Sequence, residues 1–230
     1  MVSQILSDIY WLETRASNLY LCIDEDGLTL IDCGLPRQQD LIWQMMAEID
    51  RQPQQLKRIL ITHADIDHAG SAAAIQAQTG ARVYAGAATA EFLKKGKSPP
   101  HMPWLAQLII DTFMSYKPIA ADMIEIITEG DELPCLGGLQ VMATPGHTGD
   151  HHSFYAPTRG ILFAGDALNT RADRIQRTPP RITADETAAN RSAIRLLELA
   201  PAVIACGHGK PMQDHTSTEL MRLFNKLRIS

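Results

Sequence analysis

No Cys-x-x-Cys pair occurs anywhere in the 230 residues; the four cysteines, Cys22, Cys33, Cys135 and Cys206, are widely scattered. That spacing reads as four reduced, mostly buried thiols in a cytoplasmic protein rather than a disulfide framework. Long apolar runs are missing too. None approaches the roughly 20 residues needed to cross a bilayer, so no membrane association is expected. The opening residues, Met1 to Asp8, lack the basic and long apolar regions of a secretory signal. There is no basic excess: the net charge of −5 argues against a general nucleic-acid binder. Internal repeats, low-complexity segments and linkers are also absent, and residues 1–230 read as one domain. With 45% hydrophobic and 20% charged residues, the composition is that of an ordinary globular protein long enough for a full core.

The chain alternates strand and helix signals. Two apolar runs, Tyr20 to Ile23 and Leu28 to Ile31, flank Asp24-Glu25-Asp26-Gly27, whose Asp-Gly end marks a hairpin. Leu41, Ile42, Met45, Met46 and Ile49 lie at helical spacing. A strand is expected over Leu56 to Thr62, a helix ending at Gly80, and a strand from Arg82 to Ala85. That βαβ unit implies a partly parallel sheet covered by helices. Strands are read again at 139–143, 153–156, 161–164 and 202–206. Thr183-Ala184-Asp185-Glu186 is a capping box opening a helix to about Leu199, and Thr216 to Leu227 reads as a final amphipathic helix. Residues 86–118 differ in character. After Lys94-Lys95-Gly96-Lys97-Ser98-Pro99-Pro100 breaks regular structure, Trp104, Leu105, Leu108, Ile109, Phe113 and Met114 follow at helical spacing. The stretch is a packed helix, an apolar lid over a substrate pocket, or the face of a homodimer.

One stretch concentrates the chemistry. In Thr62-His63-Ala64-Asp65-Ile66-Asp67-His68-Ala69-Gly70, four potential metal ligands fall between an apolar strand and a helix. Side chains two apart in extended chain point the same way, so His63 and Asp65 can face one ion. Asp67 and His68, at the turn into the helix, are placed for a second. Imidazole and carboxylate together suit zinc, iron or manganese. A solvated loop in which Asp65 or Asp67 caps the helix is the plainer alternative. His147, Asp166 and His208 also sit in loops just after expected strands, each with a neighbouring glycine. Strand-end loops are where sites on layered α/β folds are built.

With these residues in place, the chain resembles the metallo-β-lactamase superfamily. The resemblance rests on the His-x-His-x-Asp-His pattern at 63–68 (with Asp65 at its second histidine), Thr-Pro-Gly-His at 144–147, Gly-Asp at 165–166 and Gly-His-Gly at 207–209, and runs from Asp32 to His208. It implies an α/β fold, the four-layer αββα sandwich of two mixed β-sheets flanked by helices. It also implies two divalent ions: His63, Asp65 and His147 hold the first, Asp67, His68 and His208 the second, and Asp166 bridges them. Asp32 would brace the metal loop, and His151 falls where the family has a supporting His or Ser. His101 and His215 match nothing and are read as surface or core histidines.

The activity implied is hydrolysis of a small-molecule ester, thioester or lactone by a hydroxide bridging the two ions, with Asp67 orienting the nucleophile and shuttling a proton. Zinc is the expected metal. Asp65, a harder oxygen donor than imidazole, shifts preference towards iron or manganese. Two alternatives follow: a di-iron redox enzyme akin to the flavodiiron proteins but without their flavin domain, or a non-catalytic metal-binding scaffold. On the substrate side, Trp104 belongs to the lid candidate. Arg171, with Arg174, Arg177 and Arg181, would recognise an anionic group, unless the run is a solvated loop balanced by Asp173.

Overall fold

The structure, a computed structural model, describes residues 2–101 and 103–229. It divides into two compact units, residues 1–99 with 105–127, and residues 100–104 with 128–230.

The first unit is built on a seven-stranded mixed sheet in which every strand pairs with its neighbour in sequence. Strands β1 (Val2–Leu6), β2 (Ile9–Glu13), β3 (Asn18–Asp24) and β4 (Gly27–Ile31) form an antiparallel meander. The β3–β4 hairpin closes with Asp24 opposite Gly27, where Gly27 takes a φ of 147°. From β4 onward the pairing turns parallel through β5 (Leu56–Leu60), β6 (Arg82–Ala85) and β7 (Ile124–Ile126). Parallel neighbours need crossovers, and helices supply them. They are α1 (Gln39–Glu48) before β5, α2 (Ile66–Ala69) and α3 (Ala72–Thr79) before β6, and α4 (Ala87–Lys95) with α5 (Trp104–Phe113) before β7.

Alternation along the strands sets the packing. Leu19, Leu21, Leu28, Leu30, Ile59 and Val83 share one core with Ile42, Met45 and Met46 of α1, Ala72 and Ile75 of α3, and Leu93 of α4. The alternate residues Tyr20, Cys22, Ile31 and Leu60 are buried as well. These central strands, buried on both faces, therefore read as apolar runs rather than as alternating ones. Helix α3 stops at Gly80, which takes a left-handed conformation and returns its N–H to Gln76 O.

The second unit carries a five-stranded sheet in the order β14-β11-β10-β9-β8. Its strands are β8 (Glu132–Leu133), β9 (Leu139–Ala143), β10 (His152–Ala156), β11 (Ile161–Gly165) and, after the small ribbon β12 (Leu168–Asn169) and β13 (Gln176–Arg177), β14 (Val203–Cys206). The β11–β14 pair is parallel and the others antiparallel. Helix α6 (Glu186–Glu198) makes that crossover, and α7 (Thr216–Ile229) ends the described chain. Leu162, Ala164, Ile204 and Cys206 pack against Ala193, Leu196 and Leu197 of α6 and Leu220 and Leu223 of α7.

The capping box is displaced from its expected place. The N-cap of α6 is Asp185, whose carboxylate accepts the Ala188 N–H, and not Thr183. Pro179 and Pro180 open a short 3₁₀ turn ahead of the helix, and the Thr183 hydroxyl is taken up by the carbonyls of Thr178 and Pro179. Among the described residues, no helix is long and apolar enough to cross a membrane.

Candidate metal centre

In the first unit the ligand loop leaves the end of β5, and Asp32, just past β4, holds it in place. Asp32 is buried and left-handed, with a φ of 59°, a conformation aspartate tolerates better than most residues. Its Oδ1 accepts the Thr62 N–H at 2.9 Å, its Oδ2 accepts the Thr62 hydroxyl at 2.8 Å, and Oδ2 also lies 2.8 Å from His68 Nδ1. A carboxylate only accepts, so the His68 proton sits on Nδ1. The one proton of the Thr62 hydroxyl goes to Asp32, so that hydroxyl must accept from His63 Nδ1, 2.9 Å away. Both rings are fixed with Nε2 as the donor atom for a metal, the arrangement in which a neighbouring acceptor sets the tautomer of a ligating histidine. The rings of His63 and His68 are fully buried, with centroids 4.2 Å apart.

Asp65 stands at the N-cap of α2, but its side chain makes no cap bond. The helix start is served instead by Ser98, whose hydroxyl accepts the Ile66 N–H at 3.0 Å. Asp65 Oδ2 lies 3.5 Å from His63 Nε2, and Asp67 Oδ2 lies 3.8 Å from His68 Nε2. The buried Tyr116 hydroxyl is 2.9 Å from both Ala64 O and Lys97 O. Burial, and secondarily the charge of Asp65, push its pKa up, so it stays a donor.

In the second unit, His147 follows β9 on a loop that Gly146 makes possible. Gly146 has a φ of 145°, and a Cβ there would meet Ala189 backbone atoms at 2.4–2.5 Å. His147 Nδ1 donates to Ile182 O at 2.8 Å, which again leaves Nε2 as the candidate ligand atom. Asp166 follows β11, and His208 follows β14. Both His147 Nε2 and His208 Nε2 approach one atom, Asp166 Oδ2, at 3.7 and 3.2 Å. His151, fully buried, braces this carboxylate's backbone: its Nε2 accepts the Asp166 N–H at 2.9 Å. With Nε2 accepting, the neutral ring donates from Nδ1 to Thr144 Oγ1 at 2.8 Å. The chain continues to Ser153 Oγ at 2.9 Å and ends on Ala164 O at 3.1 Å.

Each unit thus turns imidazole nitrogens, in His63, His68 and His147 protonated on their far side, towards carboxylate oxygens at 3.2–3.8 Å. Two acceptors facing each other in a buried site repel unless a proton or a cation lies between them. Donors bound at about 2.0–2.2 Å to one tetrahedral ion stand roughly 3.3–3.6 Å apart, which matches. Each unit therefore carries His/Asp approaches of metal-binding character.

Other expectations fare differently. Trp104 opens α5 and is 74% exposed, with Leu105, Leu108 and Ile109 more than half exposed. Arg171 is exposed on a short 3₁₀ turn, whereas Arg177 is tied to Glu186 at 2.7 Å. His215 is exposed. His101 is half-buried, and its ring meets the His147 ring edge-on at 4.7 Å. No motif spacing marks it; the surrounding prolines Pro99, Pro100 and Pro103 give only a loop signal.

Residues 12–208 match the sequence profile described as the Metallo-beta-lactamase superfamily. The "Probable metallo-hydrolase YflN" of Bacillus subtilis is 26% identical over 95% of this chain and 90% of its own length. A hydroxyacylglutathione hydrolase of Idiomarina loihiensis is 32% identical over 63% of this chain, which spans 43% of that enzyme. Among solved structures, a B3 metallo-β-lactamase with an active-site glutamic acid superposes with a TM-score of 0.75 at 22% identity, covering 99% of this chain and 88% of that one. The likeness in structure establishes the fold: two mixed sheets flanked by helices, the αββα sandwich expected from the sequence.

Proposed function

That the chain belongs to the metallo-β-lactamase superfamily is the premise from which we propose that it is a metal-dependent hydrolase of a small-molecule ester, thioester or lactone. The observation that carries this reading is the facing of buried or half-buried imidazole Nε2 atoms and carboxylate oxygens at 3.2–3.8 Å in both units. In this reading His63, Asp65 and His147 hold one ion, and Asp67, His68 and His208 hold the other. Asp166 would be shared between them, a role supported by the approach of two rings to its Oδ2.

When bound, two such ions supply Lewis acidity and a water that ionises near neutral pH. The chain's own residues do the rest. Asp67 has the most exposed side chain of the loop's acids, 25% against 11% for Asp65 and 3% for Asp32. It is the carboxylate that solvent and substrate reach, so it orients the attacking water, takes its proton and returns it to the leaving group. Asp32 and His151 hold the ligands in the productive tautomer and position. Trp104 and Arg171 are the substrate-side candidates, the first for an apolar portion and the second for an anionic one. The names of two relatives, a probable metallo-hydrolase and a hydroxyacylglutathione hydrolase, support hydrolysis. Zinc is the ion proposed, with Asp65 widening acceptance to iron and manganese.

The test is metal analysis of protein purified without chelator, together with a panel of chromogenic esters, lactones and thioesters. Close to two ions per chain are expected, with turnover by the zinc, manganese and iron forms alike, since each acts only as a Lewis acid. Absence of bound metal would sink the reading. Inert panels alongside catalytic oxygen consumption by the iron form would replace it with redox chemistry.

A further inference from the structure

We propose that His101 is a metal ligand, supplying the imidazole that the first ion's site loses by having Asp65 at the motif's second histidine; the inference rests on the metal reading above. Two independent observations, one in each unit, converge on it.

In the second unit, the His101 and His147 ring centroids are 4.7 Å apart at an interplanar angle of 65°. A ring nitrogen of each lies within 4.8 Å of the other. Because His147 Nδ1 is committed to Ile182 O, the nitrogen of His147 that can share an ion with His101 is Nε2.

In the first unit, the segment that leads into His101 is fastened to the ligand loop on both sides of Asp65. Ser98 accepts the N–H of Ile66, and the Tyr116 hydroxyl joins Lys97 O to Ala64 O. Three residues on from Ser98 comes His101, a reach of at most about 11 Å. Pro99 and Pro100 restrict that path by fixing φ. The tether is thus short enough for a histidine to reach the loop position whose own histidine is replaced.

The chemistry is complementary. A carboxylate reaches less far than an imidazole and gives a harder donor. Adding His101 to His63, His147 and Asp65 restores three nitrogen donors to the first ion while keeping the negative charge of Asp65. An edge-on ring contact alone would serve packing, and the experiment separates the two roles.

The full-length chain is prepared as wild type, His101→Ala, Asp65→His and the double variant, and zinc retention is measured by competition with a chromophoric chelator. His101→Ala should weaken retention of one ion by at least about tenfold, the lower end of what losing even an outer partner of a ligand costs. The second ion should be unaffected, and Asp65→His in the same chain should restore the first. Unchanged retention of both ions in a folded His101→Ala protein would make His101 a packing residue and overturn the proposal. Wild-type protein that binds no metal would instead remove the metal reading itself. Should His101→Ala not fold, cobalt-loaded wild type decides the matter. Five paramagnetically shifted imidazole N–H resonances are expected, from His63, His68, His101, His147 and His208, and four would overturn the assignment.

Discussion

At the scale of single residues, Asp32 has the widest reach for its size. One buried carboxylate sets the tautomer of His68 directly and of His63 through Thr62. Asp32→Asn can donate where the native side chain only accepts, so it competes with both partners. We expect metal affinity to fall about 10- to 100-fold, as for other outer partners of ligating histidines, with the fold recovered at excess metal. Unchanged affinity in a chelator competition would deny Asp32 this role. For Asp67, the isosteric Asp67→Asn keeps shape and removes the base. Turnover should drop about 10²- to 10⁴-fold, and a folded variant at wild-type rate would take Asp67 out of the mechanism. The thiols give a third check. Burial pushes the Cys33 and Cys206 thiols up, with a further rise from the neighbouring Asp32 and Asp166 charges respectively. All four cysteines are buried. A thiol reagent at pH 8 should therefore find none in the native protein and all four after denaturation, because the thiolate is the reactive form. Rapid native labelling would contradict that burial. The seven candidate donors stand out in the sequence because four share one spaced motif and the other three, His147, Asp166 and His208, adjoin glycines after expected strands. The hydrogen bonds of Thr62 and Tyr116 and the ring contact of His101 do not, because they depend on what folding sets beside these residues.

At the scale of elements, the loop before His147 is pinned to the start of α6. Ala184 N–H donates to His147 O, Asp185 N–H to Gly146 O, and the Ser192 hydroxyl to Pro145 O. A Cβ at Gly146 would drive into the Ala189 backbone. Gly146→Ala should cost about 1–3 kcal/mol by overpacking and weaken metal retention by displacing His147, read by thermal melts and chelator competition on one sample. Wild-type behaviour in both would show that the loop has slack. The elements legible in sequence carry local chemistry of their own: Asp-Gly at the β3–β4 hairpin, and Gly80 ending α3. The N-terminal strand β1 and the two-residue strands β12 and β13 offer too little pattern to be read. The α6 cap was misplaced by two residues because Thr183 fits the motif but spends its hydroxyl on the preceding turn.

At the scale of the whole molecule, bound ions add to stability by mass action. An ion present at a thousand times its dissociation constant contributes about 4 kcal/mol. Chelation should lower the melting temperature while far-UV circular dichroism at room temperature stays native, because each sheet has a core of its own. An unmoved melting temperature would mean that no ion had been bound. The division of the chain also orders events in time. Every residue of the seven-stranded sheet and its core lies within the first 127 positions. At typical synthesis rates of about 5–20 residues per second, the next 81 residues, up to His208 (208 minus 127), take roughly 4–16 s to be added. Small domains fold within microseconds to seconds. The ribosome thus gives His63, Asp65, Asp67 and His68 time to be set in a finished sheet before His208 has been translated. A nascent chain would thus present four of the seven candidate donors before the other three are made.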